Sequence, residues 1–323
     1  MCTAISFKTR DHYFGRNLDL EFSYNETVTV TPRNFPFSFR RMGEMKTHFA
    51  LIGMAYVAGG YPLYYDCTNE KGLSMAGLNF PTFADYKPEA EGKDNIAPFE
   101  FIPWILSQCS SVSEARKLLE KMNLAKIDYS AELPASPLHW MISDKNESIV
   151  VESVKEGLKV WENPVGVLTN NPPFDYHMLN IANYLNCTRE EAVSRFADGY
   201  ELTPFSRGMG GIGIPGDLSS ASRFVKAAFT KLNSVCGESE SESISQFFHI
   251  LGSVAQQKGC CRVGHAFEYT IYSSCCNTDR GVYYYTTYEN SQITAVDMHK
   301  VSLDGSELVS YPLITGQQIC RQN

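Results

Sequence analysis

From its second residue the chain alternates, with Thr3, Ile5 and Phe7 on one side and Cys2, Ala4 and Ser6 on the other, the period of a strand with one apolar face. The polar stretch "TRDH" then turns the chain back into "YFGRNLDLEF", which predicts an N-terminal hairpin. With the turn centred on Arg10 and Asp11, antiparallel partners sum to about 21, so Asp19 is expected opposite Cys2 and Arg16 opposite Ile5. Runs rich in β-branched and aromatic residues predict further strands at 27–31, 49–57, 147–153, 268–273, 282–288 and 292–298.

Helical spacing takes over between these runs. Ser111 and Glu114 fit a capping box, after which Ala115, Leu118, Leu119 and Met122 repeat at i, i+3, i+4 and i+7. Ile244, Phe247, Phe248 and Leu251 repeat that stripe, and 222–232 is a third helix with Phe224, Ala228 and Phe229 on its apolar side. Strands toward both ends and helices between them predict an α+β fold with antiparallel sheets covered by helices, rather than alternating βαβ units. The polar "CGESESES" at 236–243 is flanked by helices and marks no linker, so residues 1–323 are expected to form one domain.

Composition narrows the partners. A formal net charge of −8 leaves no basic footprint for nucleic acid. No uninterrupted apolar run of about 18 residues predicts a membrane span, and no basic-then-apolar leader precedes "KTRDH", so a cytoplasmic protein is expected. The ten cysteines are scattered, and the vicinal pairs Cys260-Cys261 and Cys275-Cys276 lack the two-to-four-residue spacing of zinc ligands. Neither metal nor cofactor is called for.

Two motifs invite false readings. "RGMGGIG" at 207–213 holds a Gly-x-Gly-x-x-Gly, but it runs into the helix-breaking "IPGD" rather than opening a helix, which favours a flexible surface or gating loop over a dinucleotide fingerprint. "GLSMAG" carries Ala76 where a nucleophile elbow needs glycine. Cys2 is the better candidate. Removal of Met1 would place a thiol and an α-amine on one residue, and an amine with a reference pKa of about 7.7 to 8.0 is able to accept the thiol's proton near neutrality. Nucleophile and base would then share a residue, with Arg16 and Asp19 brought close by the hairpin. From position alone, Cys2 is equally a small residue at a strand start.

The segments "MCTAISF", "YFGRNLDLEFSYNE", "YPLYYDCTNEKGLSMAGLNFP", "GVLTNNPPFDY", "SRGMGGIGIPGDLSSASRFVKAAF" and "YYYTTYENSQITAVDM" resemble the choloylglycine hydrolase family, from residue 1 nearly to the end. The resemblance implies an N-terminal nucleophile hydrolase fold, an αββα four-layer sandwich, and hydrolysis of the amide joining a bile acid to glycine or taurine. It implies Cys2 as nucleophile, with Arg16, Asp19, Asn79, Asn170 and Arg223 as its catalytic companions, and a homotetramer. Asn170 and Asn79 are expected to donate hydrogen bonds to the oxyanion, with Asn171 as a rival, and Arg223 to tune the charge of the site. Leu18 and Phe22, in the loop after Arg16, and Leu133 and Leu138 are expected to contact the apolar sterol. Two other readings stay open: penicillin V acylase, whose branch often carries an aromatic residue where Asn79 stands, and a catalytically silent bile acid or lipid binder.

Overall fold

The computed structural model describes residues 1–323. Two antiparallel sheets lie face to face. The first runs, in spatial order, through strands Val167–Leu168, Cys2–Lys8, His12–Leu20, Ala266–Asn277, Val282–Thr287 and Thr294–Asp297, with Cys261–Val263 paired to the end of Ala266–Asn277. The second runs through Gly157–Glu162, Ser148–Val154, Leu138–Ser143, Ser74–Asn79, Tyr61–Asn69, Leu51–Ala58, Thr27–Thr31 and Val309–Pro312. Helices Ser220–Asn233 and Glu240–Gly252 cover the outer face of the first sheet, and Phe101–Gln108 covers that of the second. The result is the αββα sandwich expected. No helix is long and apolar enough to cross a membrane.

Period-2 alternation explains why the strands read as continuous apolar runs. Ile52, Met54, Ala76, Leu78, Met141 and Val150 enter one core, while their neighbours Leu51, Ala55, Met75, Trp140, Ile142 and Ile149 enter the other, under Phe101–Gln108. The N-terminal strand departs from expectation for the same reason: Cys2 and Ala4 are as buried as Thr3 and Ile5, because a sheet lies on one side and helices on the other. Six elements of six residues or more escape the periodicity reading: strands Tyr61–Asn69, Ser74–Asn79, Leu138–Ser143 and Gly157–Glu162, and helices Phe101–Gln108 and Phe174–Asn180. Pro62 disguises the first, and the helix Phe101–Gln108, apolar nearly all round, shows no stripe.

The hairpin register is one residue from that expected. Cys2 faces Leu18 and Ala4 faces Arg16, because Thr9, Arg10 and Asp11 form a three-residue turn between Lys8 and His12. A one-residue slip exchanges faces. Arg16 therefore shares the face of Cys2 and Ala4, whereas Asp19 lies on the other face and pairs with Met1, whose C=O accepts from the Asp19 N–H (3.0 Å). Leu18 belongs to the strand and not to a loop after it.

Gly15 permits the close approach of the neighbouring strand Ala266–Asn277. A Cβ there would stand 2.0 Å from the Ser274 carbonyl oxygen. Gly15→Ala is expected to cost about 3 kcal/mol or more, lowering the thermal midpoint by about 5 to 10 °C in a calorimetric scan.

Candidate active site

Cys2 opens the first strand with its side chain turned toward the second sheet, where it lines a cavity of about 270 Å³. Of the 21 residues around this cavity 15 are hydrophobic, which suits a large apolar ligand. Arg16, Asn79, Leu18, Leu133 and Leu138 share the wall with Cys2. Phe22 does not. It lies 54% exposed against Tyr24, ring centroids 4.8 Å apart, and Tyr24 is the residue that reaches the cavity.

Asp19, Asn170 and Arg223 stand behind Cys2 rather than in the wall. Asn170 is held at every polar atom. Its N–H donates to Ser220 Oγ (2.8 Å) and its C=O accepts from His177 Nε2 (2.9 Å). Its Oδ1 accepts from the Cys2 N–H (2.7 Å) and from Arg223 Nη2 (2.7 Å), and its Nδ2 donates to the Asn79 C=O (2.7 Å). Both neighbours of Oδ1 can only donate, so the orientation of the amide is fixed by its partners. Asn171 instead donates to the Pro81 C=O (2.6 Å). The Asn79 side chain faces the cavity without a hydrogen bond inside the protein.

Arg223 comes from the helix Ser220–Asn233 and is fully buried. Its Nη1 donates to the Cys2 C=O and to Thr3 Oγ1, and its Nε to the Leu218 C=O. Arg16, also fully buried, donates through Nη1 to the Tyr65 and Gly77 carbonyls. Its Nη2 has no partner. Burial opposes the guanidinium charge, but the Cys2 thiol, Tyr272, Asp66 and Asp19 outweigh it and hold Arg16 protonated. Asp66 is itself fastened by the hydroxyls of Tyr272 and Tyr283 (2.6 Å each).

Asp19 Oδ1 accepts from Thr270 Oγ1 (2.7 Å), across a bulge between Thr270 and Tyr272 in the partner strand, while its Oδ2 is buried without a partner. Burial pushes its carboxyl up from the ordinary range, opposed by Arg223, the Met1 amine, the Thr270 bond and Arg16. The α-amine of Met1 donates to the Asp19 C=O (2.8 Å) and to Glu268. Glu268 and Thr270 carry no signal of a site in the sequence. They sit inside a predicted strand, and nothing in "EYTIYS" distinguishes them from sheet residues.

The decoys fall elsewhere. Ser74 of "GLSMAG" is buried in a strand, bonded to Thr68 (2.8 Å), and the glycine loop at 207–213 lies outside the cavity wall.

Comparison with known proteins gives concordant findings. The family described as linear amide C-N hydrolases, choloylglycine hydrolase family, matches residues 2–311. A bile salt hydrolase/transferase of Lactiplantibacillus plantarum is 58% identical over 97% of each chain. The crystal structure of a mutant conjugated bile acid hydrolase from Clostridium perfringens superposes with a TM-score of 0.93 at 40% identity, covering all of both chains. A penicillin V acylase from Agrobacterium tumefaciens shares the fold, with a TM-score of 0.75 at 19% identity over 98% of this chain and 92% of that one.

Proposed function

This chain belongs to the choloylglycine hydrolase family of linear amide C–N hydrolases, and on that premise we propose that it deconjugates bile acids, cleaving their amides with glycine or taurine through an N-terminal Cys2. The observation that carries this reading is the juxtaposition of Cys2 with buried charge on one side and an apolar cavity on the other.

In the working enzyme Met1 is absent and Cys2 carries the α-amine. That nitrogen already has Asn170 Oδ1 as an acceptor, and buried Asp19, one of whose carboxylate oxygens has no partner, supplies negative charge to hold an ammonium. The amine takes the thiol proton, and sulfur attacks the amide carbonyl. The resulting oxyanion is stabilised by Asn79 and by the remaining Nδ2 hydrogen of Asn170, with Arg16 Nη2 supplying positive charge at the wall. The C–N bond then breaks as the ammonium protonates the departing glycine or taurine nitrogen. A water, deprotonated by the same amine, releases the bile acid from its thioester, and the C–S bond breaks to restore the thiol.

The sterol lies along Leu18, Leu133 and Leu138. Leu133→Ala is expected to raise KM for glycocholate about 5- to 10-fold with kcat little changed, as loss of one apolar contact should. One domain, a cytoplasmic location and a homotetramer complete the proposal. Self-association is supported by Leu179, Leu185, Val193, Phe196 and Phe205, between 65% and 86% exposed in a single segment.

The test offers purified protein glycocholate, taurocholate and penicillin V, and quantifies free glycine, taurine and 6-aminopenicillanic acid. Dominant release of the amino acids is expected. Dominant penicillin turnover would favour the acylase reading, and no turnover would favour a silent binder.

A further inference from the structure

The α-amine of Met1 lies in a small acceptor site built from the Asp19 C=O and the Glu268 carboxylate. Glu268 comes from the strand Ala266–Asn277, two residues before Thr270, which holds Asp19. It is 6% exposed, and burial pushes its carboxyl up against the opposing pull of the Met1 amine. Only the bonds N–Cα, Cα–C and C–N separate the Met1 nitrogen from that of Cys2, so the two are within about 4 Å. The Cys2 nitrogen is therefore within about 6 Å of the Glu268 carboxylate, a separation that a single bridging water spans.

We propose that Glu268 is a positioning residue of the mature site, holding the α-amine of Cys2 through the place vacated by Met1 and setting the pH at which that amine gives up its proton. This inference rests on the reading of Cys2 as an N-terminal nucleophile.

The charges around that amine explain the need. Arg16, from the strand His12–Leu20, and Arg223, from the helix Ser220–Asn233, are two buried cations that favour a neutral amine. Three buried carboxylates oppose them: Asp66, which acts on Arg16, Asp19, and Glu268, the one that meets the Met1 amine directly. The Cys261 thiol, on the strand paired with Glu268, faces the same cluster, and Asn170 contributes a neutral oxygen from the segment after Val167–Leu168. Without Glu268 the amine loses the carboxylate nearest to it, while both cations remain.

A carboxylate favours the ammonium form, and the neutral amine is the base, so removing the carboxylate lets the base form at lower pH. With Met1 removal confirmed by mass, Glu268→Gln is expected to move the acid limb of the kcat/KM profile for glycocholate down by about one pH unit. Glu268→Asp is expected to fall between the two. A purely structural role would lower the plateau or the thermal midpoint and leave the limb in place, and superimposable limbs would overturn the inference. A wild-type protein inactive on every conjugate would instead defeat the functional reading on which it rests.

Discussion

Cys2→Ser is expected to reduce kcat/KM for conjugated bile acids by about 10³-fold or more, the scale on which hydrolases lose activity when their nucleophile is disabled. The hydroxyl matches the thiol in shape, and Cys2 makes its structural bonds through backbone atoms, N–H to Asn170 and C=O to Arg223. Stability should therefore change little while the chemistry collapses, because a serine hydroxyl is far less ionised near neutrality than a thiol. Steady-state kinetics with glycocholate, paired with a thermal melt, separates the two effects. A variant retaining a tenth of the wild-type rate would remove Cys2 from the role of nucleophile.

Asn170→Ala is the second large effect expected. The side chain ties together Cys2, Arg223 and Asn79 and takes no part in the apolar cavity wall. Its loss removes the acceptor of the Cys2 N–H and, in the proposed mechanism, a donor for the oxyanion, so kcat should fall by about 10² to 10³-fold with KM nearly unchanged. It also leaves a buried guanidinium N–H unpaired, costing about 1 to 3 kcal/mol of stability. Asn170→Asp discriminates between the roles: it restores acceptors for Cys2 and Arg223 but has no hydrogen to donate. Recovery of stability without recovery of kcat is the expected pattern, measured by melting and by initial rates over a range of substrate concentrations.

Local pattern carried much of this architecture. Thr27–Thr31 was legible to the residue, since five alternating β-branched residues encode a strand without help from distant contacts. The helices Ser220–Asn233 and Glu240–Gly252 were legible from their apolar stripes. Register was not, because turn length alone decided it, and the three-residue turn at Thr9–Asp11 moved Arg16 onto the face of Cys2 and Asp19 onto the opposite one. For the candidate site, local sequence suggested single residues and not their geometry. Cys2 suggested itself as nucleophile and base by position, and Arg16 and Asp19 followed from the hairpin. Asn170 and Arg223, 168 and 221 residues away, entered only through resemblance, and the bonds that lock them to Cys2 exist only in the folded chain. Glu268 had no signal of any kind, since its meaning depends on the short distance between two chain segments 267 residues apart.

The most direct measurement is the mass of the N-terminal peptide from enzyme mixed with glycocholate and quenched in acid within milliseconds. The expected peptide begins at Cys2, lacks Met1 and carries one cholyl group in thioester linkage to the cysteine, while an equivalent of glycine appears free in solution. An active enzyme that retains Met1, or a cholyl group found on any other residue, would contradict the central claim.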